Sequence, residues 1–162
     1  KKHSIERLPA ELRSRIHELE NARFIENTGN VMLEFQKFVE LPSKKIRLMV
    51  DSAFPFENKK AEIDFLVPKK MKQREPNYKE NTQKLRFKFL EVTGIALALS
   101  DLGVGYIMFP RFGEIKTDYN YAYKIEDKLG IDFLDEVWDY FWNKMDDYML
   151  IDGPHPPKIV KG

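Results

Sequence analysis

The chain reads as an α+β domain: a mostly antiparallel six- or seven-stranded sheet, with an N-terminal helix and a C-terminal aromatic-rich helix packed on one face. Three observations predict this. Runs of alternating apolar and polar residues recur between residues 31 and 109. Apolar residues at three- and four-residue spacing flank those runs at both ends of the chain. Tight-turn signals separate several of the runs.

Residues 5–26 read as the first helix. Ile5, Leu8, Leu12, Ile16 and Leu19 share one face, Ser4 is placed to cap it, and Pro9 is tolerated in its first turn. The segment Asn27-Thr28-Gly29-Asn30 reads as its end. Residues 31–41 then alternate, with Val31, Leu33, Phe35, Lys37, Val39 and Leu41 on one side and Glu34, Gln36 and Glu40 among those on the other, as a half-buried strand does. Pro42-Ser43-Lys44 turns into a second strand carrying Ile46, Leu48 and Val50, and the pair reads as a hairpin. Ala61, Ile63, Phe65 and Val67 mark a third strand.

Residues 68–83 break the pattern as a basic loop bracketed by Pro68 and Pro76. Leu85, Phe87 and Phe89 form a fourth strand with Arg86 and Lys88 on its opposite face. Thr93-Gly94 leads into residues 95–100, and Asp101-Leu102-Gly103 turns them into 104–109, a meander signal. Residues 115–125 fit two periods, and we assign strand to the first half and helix to the second. The clearest helix is 132–150, capped by Asp132, with Leu134, Trp138, Phe141, Met145 and Tyr148 as its apolar stripe. Gly153 and three following prolines stop it. The expected organisation is one domain over 1–152 and a loose Pro-rich tail over 153–162.

Composition narrows the function. The 162 residues include no cysteine, which excludes a disulfide framework, a Cys-based zinc site and a cysteine nucleophile. An aromatic content of 13% is too high for a solvated, disordered chain. The longest clean apolar run, residues 95–99, is far short of a membrane span, so a soluble protein without a membrane partner is expected. The start Lys1-Lys2-His3 carries no initiator Met and no apolar signal core, and reads as trimmed, with the cytoplasm favoured.

The net charge of +1 conceals segregation. Residues 59–88 hold ten Lys/Arg against four acids, whereas residues 113–152 hold eleven acids against four lysines. Clustered cations suit phosphate recognition, and single strands also use aromatic platforms. The candidate ligand-binding residues are therefore Lys69, Lys70, Lys72, Arg74, Arg86 and Lys88. Ordinary cross-strand pairing of Arg47, Glu62, Asp64, Arg86 and Lys88 is the plainer alternative.

No His pair with metal-ligand spacing, calcium loop, nucleophile elbow or phosphate-binding glycine loop is present in the sequence. No second helix is expected at helix-turn-helix distance from the first. One set of acids does have a precedent. Asp51 ends the second strand and Glu62-Ile63-Asp64 lies on the third, with Lys69 beyond it. In strand order and acid placement this resembles the PD-(D/E)xK nuclease family. The resemblance implies Mg²⁺ held by two carboxylates and a water activated between them, with Asp51, Glu62, Asp64 and Lys69 as the catalytic set. The chain departs from the family where Asp64 fills the lysine position. The primary expectation is a non-catalytic binding or regulatory domain acting by protein–protein recognition through the basic 68–88 and acidic 113–152 surfaces. It needs no cofactor or metal and leaves the oligomeric state open. Nucleic-acid binding through 59–88 and the nuclease are the alternatives.

Overall fold

A computed structural model describes residues 3–51, 57–73, 77–91 and 93–162, apart from the side chains of residues 72 and 73. The fold is α+β, built on a mixed nine-stranded sheet. In chain order its elements are α1 (Ala10–Arg13), β1 (Arg23–Glu26), α2 (Thr28–Glu40), β2 (Lys45–Met49), β3 (Glu62–Pro68), β4 (Lys84–Leu90), β5 (Ala96–Ser100), β6 (Val104–Met108), β7 (Tyr121–Ile125), α3 (Lys128–Trp142), β8 (Tyr148–Asp152) and β9 (Lys158–Val160). Short 3-10 turns span Ile16–Leu19 and Lys69–Gln73. The strand order is β1-β7-β6-β5-β2-β3-β4-β8-β9.

The expected first helix survives only as α1. Leu8 and Leu12 are buried against α3, but Arg15 leaves the helical path to pair with Glu18 and Glu136, and the chain reaches β1 by residue 23. The strand expected over 31–41 is helix α2. The buried face, Val31, Phe35 and Phe38, has the four- and three-residue spacing of a helix, whereas Leu33 and Lys37, on the odd positions a strand would bury, are exposed. Asn27 starts this helix rather than ending the previous one, accepting from the Asn30 amide at 3.0 Å.

The hairpin expected between residues 31–41 and 46–50 is absent, because the first is helix α2 and β2 pairs with β5 and, in parallel, with β3. β4 continues the parallel set. The connections over 50–61 and 69–83 are long enough for such crossovers, which need about a dozen residues. Residues 115–120 form no named strand, and the expected helix over the second half of 115–125 is β7. α3 begins earlier than expected, with Asp127 rather than Asp132 accepting from the Gly130 amide. It ends at Trp142 and gives way to β8. The tail turns back at Gly153 and contributes β9, antiparallel to β8.

Both faces of the sheet are covered. One carries α3 and the N-terminal segment over Leu66, Leu97, Leu99 and Ile107. There Gly105 lets the helix approach closely, since a Cβ would sit 2.7 Å from Leu134. The other face carries α2 over Ile46, Ala96, Ala98, Tyr106 and Ala122. Glu34 of α2 is buried in that layer because Arg23, Tyr106 and Lys124 all donate to it. Burial alone would raise its carboxyl, but the three donors outweigh that and bring it to about 2. Among the described residues, no helix is long and apolar enough to cross a membrane.

Candidate functional site: the carboxyl edge of the parallel strands

β2, β3 and β4 run the same way, so their carboxyl ends form one edge of the sheet and their amino ends the other. This direction divides the basic stretch. Lys59, Lys60, Lys79 and Lys84 lie exposed towards the amino edge, whereas Lys69 and Lys70 lie exposed at the carboxyl edge. Arg86 and Lys88 lie between them, on the face under α3.

Neither of those two middle cations is free for a ligand. Arg86 donates through Nε to Asp64 at 2.7 Å and through Nη2 to the same carboxylate, with its plane over Trp142 and Tyr148. Lys88 is only 5% exposed. Its Nζ donates to the carbonyls of Trp142 (2.9 Å) and Met145, capping the end of α3, and burial pushes its pKa down. Arg47, Glu62, Asp64 and Arg86 do take cross-strand positions among charged residues, whereas Lys88 stands level with Leu66 and caps α3 instead. Arg47, Asp64 and Arg86 form one rank across β2, β3 and β4, and Lys45, Glu62, Lys84 and Asp152 form the next, extended onto β8. α3 packs over the face they occupy, where Arg47 meets Asp135 and Arg86 and Lys88 meet Trp142. Arg74 and the side chain of Lys72 lie outside the described residues.

The nuclease acids do not come together. Lys45 is level with Glu62 in the β2–β3 register, so Asp51 lies roughly 20 Å further along the strands. Asp64 is held by Arg86 and Lys45. Asp51 is 5% exposed and committed elsewhere: it accepts from the Thr117 amide at 2.8 Å and the Tyr119 hydroxyl at 2.7 Å. No group of three His, Asp or Glu that could hold a metal occurs among the described residues.

What the carboxyl edge does assemble is a basic cleft of about 310 Å³, lined by Arg7, Lys69, Glu91, Thr93, Lys144 and apolar residues of β4 and the end of α3. Lys69 pairs with Glu91 at 3.1 Å, an exposed contact of little strength. Arg7 and Lys144 have no ion pair among the described residues. Sequence spacing gave no sign of this grouping, since its cations come from three separate segments. Beside the cleft stands the β6–β7 connection. Its base is closed by a bridge between Pro110 and Thr117, and it touches the β4–β5 connection at Gly94, where a Cβ would sit 2.7 Å from the Ile115 carbonyl and 3.6 Å from Arg7. Asp118 holds the same base from within, accepting from Arg111, His3 and Asn120. Burial would raise this carboxyl, but those donors bring it below the usual range.

The acidic stretch is not one open surface either. Asp132 pairs with Lys128, Asp135 with Arg47, Glu136 with Arg15 and Asp147 with Lys161, while Asp127 caps α3.

No family model matches the chain, and no curated protein matches it. Among solved structures it is similar to TrmBL2, described as an archaeal chromatin protein that shows a novel mode of DNA binding. The TM-score is 0.53 at 14% identity, over 83% of this chain and 61% of that one. The likeness is one of fold, and the chain spans about 61% of that neighbour's length.

Proposed function

We infer that the chain is a nucleic-acid-binding module that contacts the phosphate backbone through its carboxyl edge. The observation that carries this reading is the cleft where Arg7, Lys69 and Lys144 converge against one exposed acid, Glu91. Lys70 follows Lys69 on the same 3-10 turn, and Arg111 and Lys116 flank the adjoining loop. Clustered cations release counterions from a nucleic acid, and that release drives sequence-independent affinity. The DNA binding described for the structural neighbour supports the same reading.

The test is the salt dependence of binding to duplex and single-stranded oligonucleotides. Each phosphate neutralised contributes about −0.9 to the slope of log K against log salt on duplex DNA, so these cations together bound it at roughly −5. Lys69→Glu, Lys70→Glu and Lys144→Glu should each weaken binding to all sequences alike and reduce the slope by about 1. Absence of binding at low salt refutes the reading.

Protein recognition is the second reading, and one observation favours it. Phe65, Phe87, Met149 and Ile159 are in register across β3, β4, β8 and β9, forming an apolar row that ends at Ile159, 53% exposed. Ile159→Asp should abolish any association made through that row. A partner bound equally well by the variant would place the contact elsewhere.

A further inference from the structure

We propose that the β6–β7 loop is a base-contacting wedge, with Phe112 stacking on a base and Ile115 supporting it. The proposal rests on the nucleic-acid reading above and names what touches the bases.

Phe112 and Ile115 are the most exposed large apolar side chains among the described residues, at 73% and 62%. They stand three apart at one loop tip: Phe112 lies on a tight turn in which the Glu114 amide donates to the Arg111 carbonyl at 2.9 Å and Gly113 takes a φ of +84°, and Ile115 follows directly after it. Loop tips are ordinarily polar, so two such residues on one tip mark a contact surface.

The tip stands on a rigid base. Asp51 and Asp118, both buried, spend their acceptors on this loop and its flanks, and Gly94 admits the Ile115 carbonyl where a side chain would collide. A tip held in place loses little conformational freedom on binding. Its flanks are cationic: the Lys116 ammonium has no ion pair among the described residues, and the Arg111 side chain is 54% exposed beside Asp118. The loop 111–116 carries two cations against one acid, Glu114, with the two apolar side chains between the cations, an arrangement that matches a nucleic acid, whose phosphates lie outside its base faces. Aromatic stacking on bases and apolar insertion at base steps are the two known forms of that contact. Neither requires sequence-specific hydrogen bonds, and the tip's two exposed apolar side chains offer none.

The experiment uses the full chain with a duplex containing a 2-aminopurine at a flexible TA step, and the same labelled strand alone. Binding by the wild type should change 2-aminopurine fluorescence. Phe112→Ala should abolish that change and weaken binding by roughly 5- to 150-fold, with the salt slope unaltered because no cation is removed. Leu102→Ala removes an exposed apolar side chain at the opposite, amino edge and should leave signal and affinity as in the wild type. Salt-dependent wild-type binding that Phe112→Ala leaves unchanged, in affinity and in fluorescence, overturns the wedge and spares the phosphate-binding reading. Failure of the wild type to bind either probe at low salt overturns both.

Discussion

Asp51 separates two accounts of one residue. As a metal ligand it would be an acid held for chemistry, whereas its geometry makes it a fastener. Its carboxylate satisfies the Thr117 amide and the Tyr119 hydroxyl, and its own amide donates back to that hydroxyl at 3.2 Å. Asp51→Ala removes both acceptors. Thr117 is itself buried, so its N–H is left without a partner, a loss of about 1–3 kcal/mol, and losing the charge-assisted bond to Tyr119 adds about 1 kcal/mol. The sum, about 2–4 kcal/mol, is a large part of a stability typically about 5–15 kcal/mol. Asp51→Asn keeps one oxygen for Thr117, and its amide can donate to the Tyr119 oxygen once that hydroxyl rotates. It should cost only about 1 kcal/mol. Urea unfolding followed by the fluorescence of Trp138 and Trp142 reads both variants. With a slope of about 2 kcal/mol per molar, the middle of the usual range, the alanine variant's midpoint should fall by about 1–2 M. Amide exchange at Glu114 and Thr117 should quicken more than at residues of β5. An alanine variant as stable as the wild type, or more stable, would refute the reasoning, because acids assembled for a ligand commonly cost stability.

Two further outcomes follow from buried charges. Glu34 titrates near 2 in the folded protein and near the ordinary glutamate value when unfolded. The unfolded chain therefore binds more protons between those values, and the stability Glu34 contributes, complete above about pH 5, is lost as pH falls towards 2. Glu34→Gln should flatten that acid limb in urea midpoints measured against pH, and an unchanged limb would rule out the role. Lys88→Met should destabilise by about 1–3 kcal/mol, because the Trp142 and Met145 carbonyls lose their donor, and exchange should quicken at the end of α3 and the start of β8. Uniform protection across that junction would rule out the cap.

Much of the sheet was legible where the signal is local. Asp101-Leu102-Gly103 identified the β5–β6 hairpin, and Gly103 takes the positive φ such a turn needs. The alternation of Leu85, Phe87 and Phe89 with Arg86 and Lys88 assigned the two faces of β4 correctly. What it could not give was the layer above the charged face, because α3 arrives from some fifty residues away. Over residues 31–41 the odd positions Val31, Leu33, Phe35, Val39 and Leu41 imitate a strand, while Phe38, off that pattern, completes the helical face of α2 with Val31 and Phe35. Parallel pairing of β2, β3 and β4 leaves no local mark, since hydrogen bonds and not side chains carry strand direction. The partners of Asp51 lie more than sixty residues further along the chain. The loop tip had a visible signal: Phe112-Gly113 between strands, flanked by Arg111 and Lys116, is an apolar residue in a turn with nowhere to be buried.

The two charged stretches do not neutralise each other, and topology explains why. Acids of the C-terminal stretch are met mainly by cations from elsewhere, Arg15, Arg47 and Lys161 among them. The basic stretch is divided because β3 and β4 are parallel: the chain must return from the carboxyl edge to the amino edge between them, and it leaves lysines at both. Arg86 and Lys88, on the strand itself, are consumed under α3. The cationic cleft that remains is assembled by the fold from Arg7, Lys69 and Lys144, so no single segment carries it. A surface of that kind loses affinity one contact at a time. Charge reversals there should act additively where the side chains do not touch, while a synthetic peptide of residues 59–88 should not reproduce the binding.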